Sequence, residues 1–286
     1  MTALRSLLKL ASWFITGFSR SSTAGADVVV LMYHRVTGDV PLELDLPFAV
    51  FRAQMIRLAE RRVVVSVDEA VRRLEKSEKF DRTLFVITFD DAYRDFYTHA
   101  FPLLCDLDLP VTLYVPTGFL DCPGIPPTSH KLANEENLQP VTWAMLEEMF
   151  VSPLLTIGSH THSHAELPSL PDEEILEELD RCDTLLQHRL GQPMRHFAYP
   201  RGAWDERVEQ LVKGRYETAA LAGGGIISAN AFSPYRITRV PVLRSDGLRW
   251  FNARINGRLI HEVRLVKLAK NYIGKLSFPV RSDNDK

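Results

Sequence analysis

Past residue 26 the chain alternates between two hydrophobic periods. Short runs at 28–33, 84–88, 111–115, 154–157, 195–199 and 218–221 are largely apolar and rich in β-branched or aromatic residues. Strands covered on both faces read this way, because neither side of the pleat meets water. The stretches between them carry apolar residues at helical spacing. In 48–61 the apolar face is Phe51, Met55 and Leu58, and Ser66 stands where a hydroxyl can cap a helix over 67–74. Further helices are expected over 93–107, from a Thr142 cap through Phe150, and over 205–213. The longest, 172–190, has Pro171 and the acids Asp172, Glu173 and Glu174 at its start and Gly191 at its end, as the two helix termini favour. Gly223-Gly224-Gly225 reads as a turn, since no Gly-x-x-x-x-Gly-Lys pattern follows it.

Repeated strand–helix units predict an α/β fold with a parallel sheet, and 286 residues suit a single closed barrel. Reactive groups in such a barrel sit at the C-terminal ends of the strands. One long polar interruption, 118–140, is broken by Pro123, Pro126 and Pro127 and reads as a lid or substrate-contacting segment.

The two ends follow other rules. Leu4, Leu7, Leu8, Ala11, Phe14, Ile15 and Phe18 line one helical stripe, with Arg5, Lys9, Ser12, Thr16 and Ser19 mostly opposite. Three readings fit: a basic helix lying in a membrane–water interface through residues 1–20, a signal peptide with Ser22-Thr23-Ala24 as cleavage site, or a helix packed on the domain. No run of about 18 apolar residues exists, so no spanning helix is expected. Residues 19–26 read as a linker. The tail interleaves Arg258, Arg264, Lys267, Lys270 and Lys275 with aliphatic residues, as one more helix before a disordered end. The expected organisation is an N-terminal segment over 1–26, a catalytic domain over 27–254 and a basic tail over 255–286.

Composition narrows the function little. Hydrophobic residues at 45% and charged residues at 24% describe a globular protein with a full core, and a net charge of −2 gives no reason to expect nucleic acid as a partner. Cys105, Cys122 and Cys182 form no CxxC pair and no disulfide framework. Cys105 and Cys182 fall in helical patterns and read as buried structural thiols.

The chemistry is concentrated in two places. Thr88-Phe89-Asp90-Asp91 closes one apolar run, and Ile157-Gly158-Ser159-His160-Thr161-His162-Ser163-His164 closes another, with three of the chain's nine histidines in five positions. Imidazole and carboxylate together suit a divalent transition metal that keeps an open position for water, and hydrolysis is the chemistry that site supports. His160 and His164 share a face on a helical turn, whereas an extended segment would align His162 with them, so spacing leaves His162 open. Asp91 can supply a third ligand while Asp90 stays free as a base. Taken singly, the Asp pair could merely cap a helix and the histidines could be a polar surface loop.

Those residues resemble the polysaccharide deacetylases, the NodB-homology or carbohydrate esterase family 4 proteins, over about 28–242. Tyr33-His34-Arg35-Val36, Phe197-Ala198-Tyr199-Pro200-Arg201-Gly202 and Arg239-Val240-Pro241-Val242 are similar to the branch that deacetylates poly-N-acetylglucosamine and other exopolysaccharides. The resemblance implies a distorted (β/α) barrel of about seven parallel strands. It implies a hydrolase that removes acetyl from N-acetylated sugars of a surface or exported glycan, at the cell envelope or membrane periphery. By position, Asp90 would be the base, and Asp91, His160 and His164 would hold a divalent metal, Zn2+ by preference. Pro200, Arg201 and Gly202 would form the oxyanion and substrate loop, with the Arg201 amide as donor. Ala92 stands where the family has glycine, which suggests a different turn. Ala198 stands where an arginine usually orients the base, and Arg239 is the replacement. The C-terminal Leu-x-His acid is missing; His34 is the candidate in its place, or else an inert core histidine. An O-acetyl esterase and an inactive glycan-binding protein of an export system are the alternative functions.

Overall fold

The structure is a computed structural model and describes residues 2–17, 27–61, 63–78, 82–122, 138–256, 258–259, 262 and 265. Seven parallel strands close on themselves: β1 (Asp27–Tyr33), β2 (Leu84–Phe89), β3 (Val111–Val115), β4 (Leu155–Ser159), β5 (His196–Ala198), β6 (Thr218–Ala222) and β8 (Ile237–Pro241). Barrel closure comes from β1, which pairs with β2 along its whole length and with β8 through Val30, Leu31 and Met32. A two-residue strand, β7 (Ile227–Ser228), adds antiparallel to the start of β1. The thinnest seam is β4–β5, joined by the single pair Ser159 and Phe197.

Strand alternation sorts the side chains into two cores. Val29, Leu31, Phe85, Ile87, Leu113 and Ile157 point outward against the helices. Val28, Val30, Leu84, Val86, Tyr114, Ala198, Ala220 and Ile237 point into the lumen. The outer helices are α2 (Phe48–Arg61), α4 (Phe101–Asp106), α6 (Trp143–Phe150), α7 (Asp172–Leu190), α8 (Glu206–Lys213) and α9 (Gly247–Ile255). On α7 the buried residues are Ile175, Leu179, Cys182 and Leu186, one apolar stripe at helical spacing. Burying such side chains contributes about 1.5–3 kcal/mol each. Helix α3 (Val67–Glu75), capped by Ser66 accepting from the Glu69 amide, joins the lumen core through Val67, Ala70 and Leu74 and plugs the N-terminal end of the barrel.

Several expectations need correction. The helix expected over 93–107 opens with a π-helical turn, Phe96–Ala100, in which the Phe101 amide donates to the Phe96 carbonyl five residues back. Pro102 at the start of α4 explains it: proline has no amide to donate and its ring crowds the preceding turn, so the wider turn relieves the clash. Cys105 in that helix is exposed, not buried, whereas Cys182 is buried as expected. The stretch 118–140 is not wholly irregular, since α5 (Thr117–Asp121) forms its start; 123–137 lie outside the described residues. So do the linker and cleavage motif at 18–26 and the tail past 265.

The N-terminal helix α1 (Thr2–Gly17) packs on the domain, with Lys9 and Ser12 buried and Leu7, Phe14 and Ile15 exposed. Among the described residues no helix is long and apolar enough to cross a membrane.

Candidate active site

Strand alternation carries Thr88 and Asp90 to the lumen side of β2, and the ladder runs one bond past the strand, from the Asp90 amide to the Tyr33 carbonyl. The chain then breaks direction. Asp91 and Ala92 both take left-handed backbone, with φ of 71° and 52°, and the Ala92 carbonyl accepts from the Val141 amide. Ala92, in the glycine's place, therefore adopts the conformation glycine would favour, at a cost of about 1–2 kcal/mol. Of the seven non-glycine residues with positive φ among those described, five lie at this end of the barrel: Asp91, Ala92, Thr161, His164 and Arg201. Strain of that kind collects where side chains are aimed for function.

The aim is visible at Asp91. Its Oδ1 lies 3.7 Å from His160 Nε2 and 3.5 Å from His164 Nε2. Ligand atoms 2.0–2.2 Å from one tetrahedral ion stand about 3.4 Å apart, so the spacing fits. His160 leaves β4 with its amide on the Val115 carbonyl, and its Nδ1 donates to the Ala198 carbonyl at 2.7 Å. That bond fixes the tautomer and leaves the Nε2 lone pair toward Asp91. Left-handed turns at Thr161 and His164 then fold the segment so that the two imidazoles stand edge to face, 4.8 Å apart. The segment is neither helix nor strand, which is why its spacing could not decide on His162. That residue turns away: its Nδ1 meets Thr117 Oγ1 at 2.9 Å and its carbonyl accepts from the Gly118 amide at 2.7 Å. A Cβ at 118 would stand 2.7 Å from that carbonyl, so only glycine permits the approach.

The electrostatics fit a cation. Burial lowers the pKa of His160 and takes that of His164 down to about 2, so both imidazoles are neutral and ready to ligate. Asp91 is pushed well above the ordinary carboxylate range by burial and then by the neighbouring Asp90 charge. Asp91 Oδ1 and His164 Nδ1 are buried without a hydrogen-bond partner. With Nε2 of His164 turned to Asp91, its Nδ1 carries the ring proton, so the unfilled acceptor is Asp91 Oδ1, which is costly to bury unless an ion fills it. Asp91, His160 and His164 are the one such group with metal-ligand spacing among the described residues.

Asp90 is held differently. Arg239, from β8, crosses the lumen and donates Nη1 to Oδ1 at 2.5 Å and Nη2 to Oδ2 at 2.7 Å. The guanidinium is itself fixed by the Leu221 carbonyl, the Thr88 hydroxyl and the face of Tyr114, 5.1 Å from the ring centre. Burial would raise the Asp90 pKa, but Arg239 foremost among the neighbouring charges overcomes it and brings it to about 2. Tyr114 in turn needs Gly158 beneath it, where a Cβ would stand 2.6 Å from the ring. Period-two alternation in 111–115 places Tyr114 inward, yet nothing in the sequence tied it to Arg239.

His34 is partly exposed, but its Nδ1 is buried and unpartnered. Burial brings its pKa down to about 4, aided by Arg239 and His160 and opposed by Asp90. At the end of β5, Pro200 is buried and Arg201 is left-handed with φ 57°. The Gly202 and Ala203 amides close the turn on the Tyr199 and Pro200 carbonyls, and the Arg201 amide takes no part in those bonds. Gly202 is required for packing, since a Cβ there would meet Ala222 at 2.7 Å.

Comparison with known proteins gives this arrangement a family. Residues 77–215 match the polysaccharide deacetylase family, a span that includes Asp90, Asp91, His160, His164 and Arg201. That span, just under half of the chain, is thus similar to a polysaccharide deacetylase domain. Bacillus subtilis YxkH is 26% identical over 219 residues, covering 76% of this chain and 72% of that one. The poly-β-1,6-N-acetyl-D-glucosamine N-deacetylase of Staphylococcus aureus is 24% identical over 178 residues, 58% of this chain, and the match spans only 57% of that enzyme. Among solved structures, the Streptococcus pyogenes deacetylase PplD superposes with a TM-score of 0.67 at 22% identity, over 81% of this chain and 99% of that one. IcaB from Ammonifex degensii gives 0.66 at 24%, over 82% and 99%. At those identities the superpositions bear on the fold, which is that of polysaccharide deacetylase barrels.

Proposed function

We propose that this polysaccharide deacetylase domain is a divalent-metal hydrolase that removes acetyl groups from N-acetylated sugars of an exported or cell-surface polysaccharide. The supporting observation is the pairing of two buried carboxylates in opposite states: Asp90 ionised by a bidentate arginine, and Asp91 stranded between two neutral imidazoles. Asp91, His160 and His164 would hold the ion, and two nitrogens with one oxygen favour zinc. When bound, it would supply Lewis acidity toward water and the acetyl carbonyl.

The remaining steps belong to the chain. Asp90 takes the proton of the attacking water, and Arg239 keeps its carboxylate oriented and charged at every physiological pH. The Arg201 amide, fixed by the left-handed turn, donates to the oxyanion as charge develops. His34 enters neutral, receives from Asp90 the proton that the water gave up, and passes it to the departing nitrogen, which returns both groups to their starting states. The link to N-acetylglucosamine polymers rests on the staphylococcal relative.

Acetate release from N-acetylated and O-acetylated glycans, with chelator and after zinc is restored, tests the reading, with metal content measured alongside. Chelation should remove about one equivalent of metal and abolish N-deacetylation, and zinc should restore both. Activity that survives complete metal removal overturns the metal assignment, and release from O-acetylated glycans alone makes the domain an esterase.

A further inference from the structure

The end of the barrel that carries Asp90 and Asp91 also holds a second polar recess, of about 160 Å³. Three stretches of chain wall it: Arg35 and Asp39 from the loop after β1, Arg94, Asp95 and Thr98 from the chain after β2, and Gln139 from the approach to α6. Its shape is fixed in advance. Arg35 is buried against three carboxylates, with Nη2 3.1 Å from Asp39 Oδ1, Nη1 3.5 Å from Asp45 Oδ2 and Nε 3.5 Å from Asp95 Oδ1. The same guanidinium lies over the Tyr93 ring, 5.5 Å from its centre. Asp95 Oδ2 accepts from the Val36 amide at 2.6 Å, and the Arg94 amide donates to the Gln139 carbonyl at 2.8 Å, so the three walls are tied to one another. Arg94 is the contrast to Arg35. Its side chain is exposed, and its guanidinium makes no hydrogen bond or ion pair among the described residues. Asp39 is 42% exposed on the loop after β1. The recess therefore offers a donor and an acceptor to solvent on a frame that is already rigid.

We propose that this recess is a subsite for a neutral sugar unit next to the one being deacetylated, and that it grips that unit by its hydroxyls. The proposal rests on the deacetylase reading above. Charge selects the ligand. A phosphate or carboxylate would be repelled by Asp39 and Asp95, and an ammonium by Arg35 and Arg94, whereas a hydroxyl both donates and accepts and suits walls of mixed sign. Arg94 would donate to one sugar oxygen while Asp39 accepts from a neighbouring hydroxyl. The volume is room for one pyranose ring and no more. Position agrees with this. Arg35 directly follows His34, and Arg94 is three residues past Asp91, a stretch the chain spans in no more than about 11 Å. That puts the recess within reach of an adjoining unit of the same polymer. The π-helical turn Phe96–Ala100 supplies Thr98 to the rim, as such turns often do at functional sites.

The test measures acetate release and calorimetric binding of the full chain with β-1,6-linked N-acetylglucosamine oligomers, from dimer to pentamer. In the wild type kcat/KM should climb with length, because the added units bring a sugar into the recess. Arg94→Ala removes a side chain on which no described residue depends. It should cut the pentamer-to-dimer ratio of kcat/KM by about tenfold, mostly through KM, as expected for a hydrogen bond to a charged group. Asp39→Asn keeps the shape but weakens the acceptor, so the ratio should fall by about threefold. Arg57→Ala, at an arginine also exposed but on α2, should leave the ratio at the wild-type value. An unchanged ratio in Arg94→Ala, with acetate still released, overturns the subsite and leaves the deacetylase reading standing. So does a wild type indifferent to length. A pentamer that binds the wild type well and Arg94→Ala poorly, with no acetate released from either, upholds the subsite and overturns the deacetylase reading instead.

Discussion

The barrel has an aspartate beside a histidine at each end, and only one of the two pairs is built for chemistry. At the plugged end, Asp68 of α3 lies 3.3 Å from His196 Nε2, and His196 Nδ1 meets Thr218 Oγ1 at 2.8 Å. Asp68 is 39% exposed, also pairs with Arg195, and is held below the ordinary carboxylate range, first by its bond to His196. None of Asp68, Arg195, His196 or Thr218 has positive φ. At the open end, Asp91 is buried, has a second carboxylate beside it, and stands on strained backbone facing two neutral imidazoles. Proximity of Asp to His is therefore a poor guide. What separates the ends is whether the local backbone is strained to leave the charge uncompensated.

The comparison breaks first if the two ends respond alike. Asp91→Ala or His160→Ala should abolish stoichiometric metal binding and lower turnover on the order of 10³-fold or more, the several kcal/mol a Lewis acid supplies. His196→Ala should instead cost about 1–3 kcal/mol of stability in denaturant unfolding, with metal content intact and turnover within about threefold. Metal loss in the His196 variant would mean that the plugged end supports the ion through β5.

Next in size is the base. Asp90→Asn keeps shape but cannot accept the proton, so turnover should fall roughly 10²–10⁴-fold with metal retained. Near-normal turnover would reduce Asp90 to a partner for Arg239. His34 sharpens the assignment further: His34→Ala should depress N-deacetylation at least about tenfold more than cleavage of an activated acetyl ester, whose leaving group needs no proton. Equal losses would make the imidazole structural.

The smallest effect tests the strain itself. Ala92→Gly relieves left-handed backbone worth about 1–2 kcal/mol while giving up a buried methyl and some chain stiffness, so stability should change by less than about 1 kcal/mol. Ala70→Gly in α3, equally buried but on ordinary helical backbone, should cost about 1–2 kcal/mol more. Equal thermal shifts would show that Ala92 carries no strain.

The same contrast explains what could be read in the sequence. Strand β3 and helices α6 and α7 follow from apolar period, Thr142 and Gly191, because local rules and tertiary packing agree there. β8 escaped notice because its central residue is Arg239, whose charge marks a strand as surface unless a buried partner is known; that partner, Asp90, is 149 residues away. Arg239 came into view through family resemblance alone. α9 opens on Gly247 without a side-chain cap and was not expected. The candidate ligand set Asp91, His160 and His164 was legible as residue types, but the exclusion of His162 depends on Thr117 and Gly118, at the start of α5 after another strand.

The β4–β5 seam would give a metal held by Asp91, His160 and His164 a second office. With one residue pair between those strands, the His160 imidazole bonded to the Ala198 carbonyl is a stitch across the weakest join of the barrel. An ion that grips His160 would tighten that stitch, so loading should slow amide hydrogen exchange in β5 more than in β3, as expected of any ligand that binds only the closed form. The catalytic ion would thus double as a rivet, and a metal-starved molecule would begin to unzip at the strand that orients its own ligand.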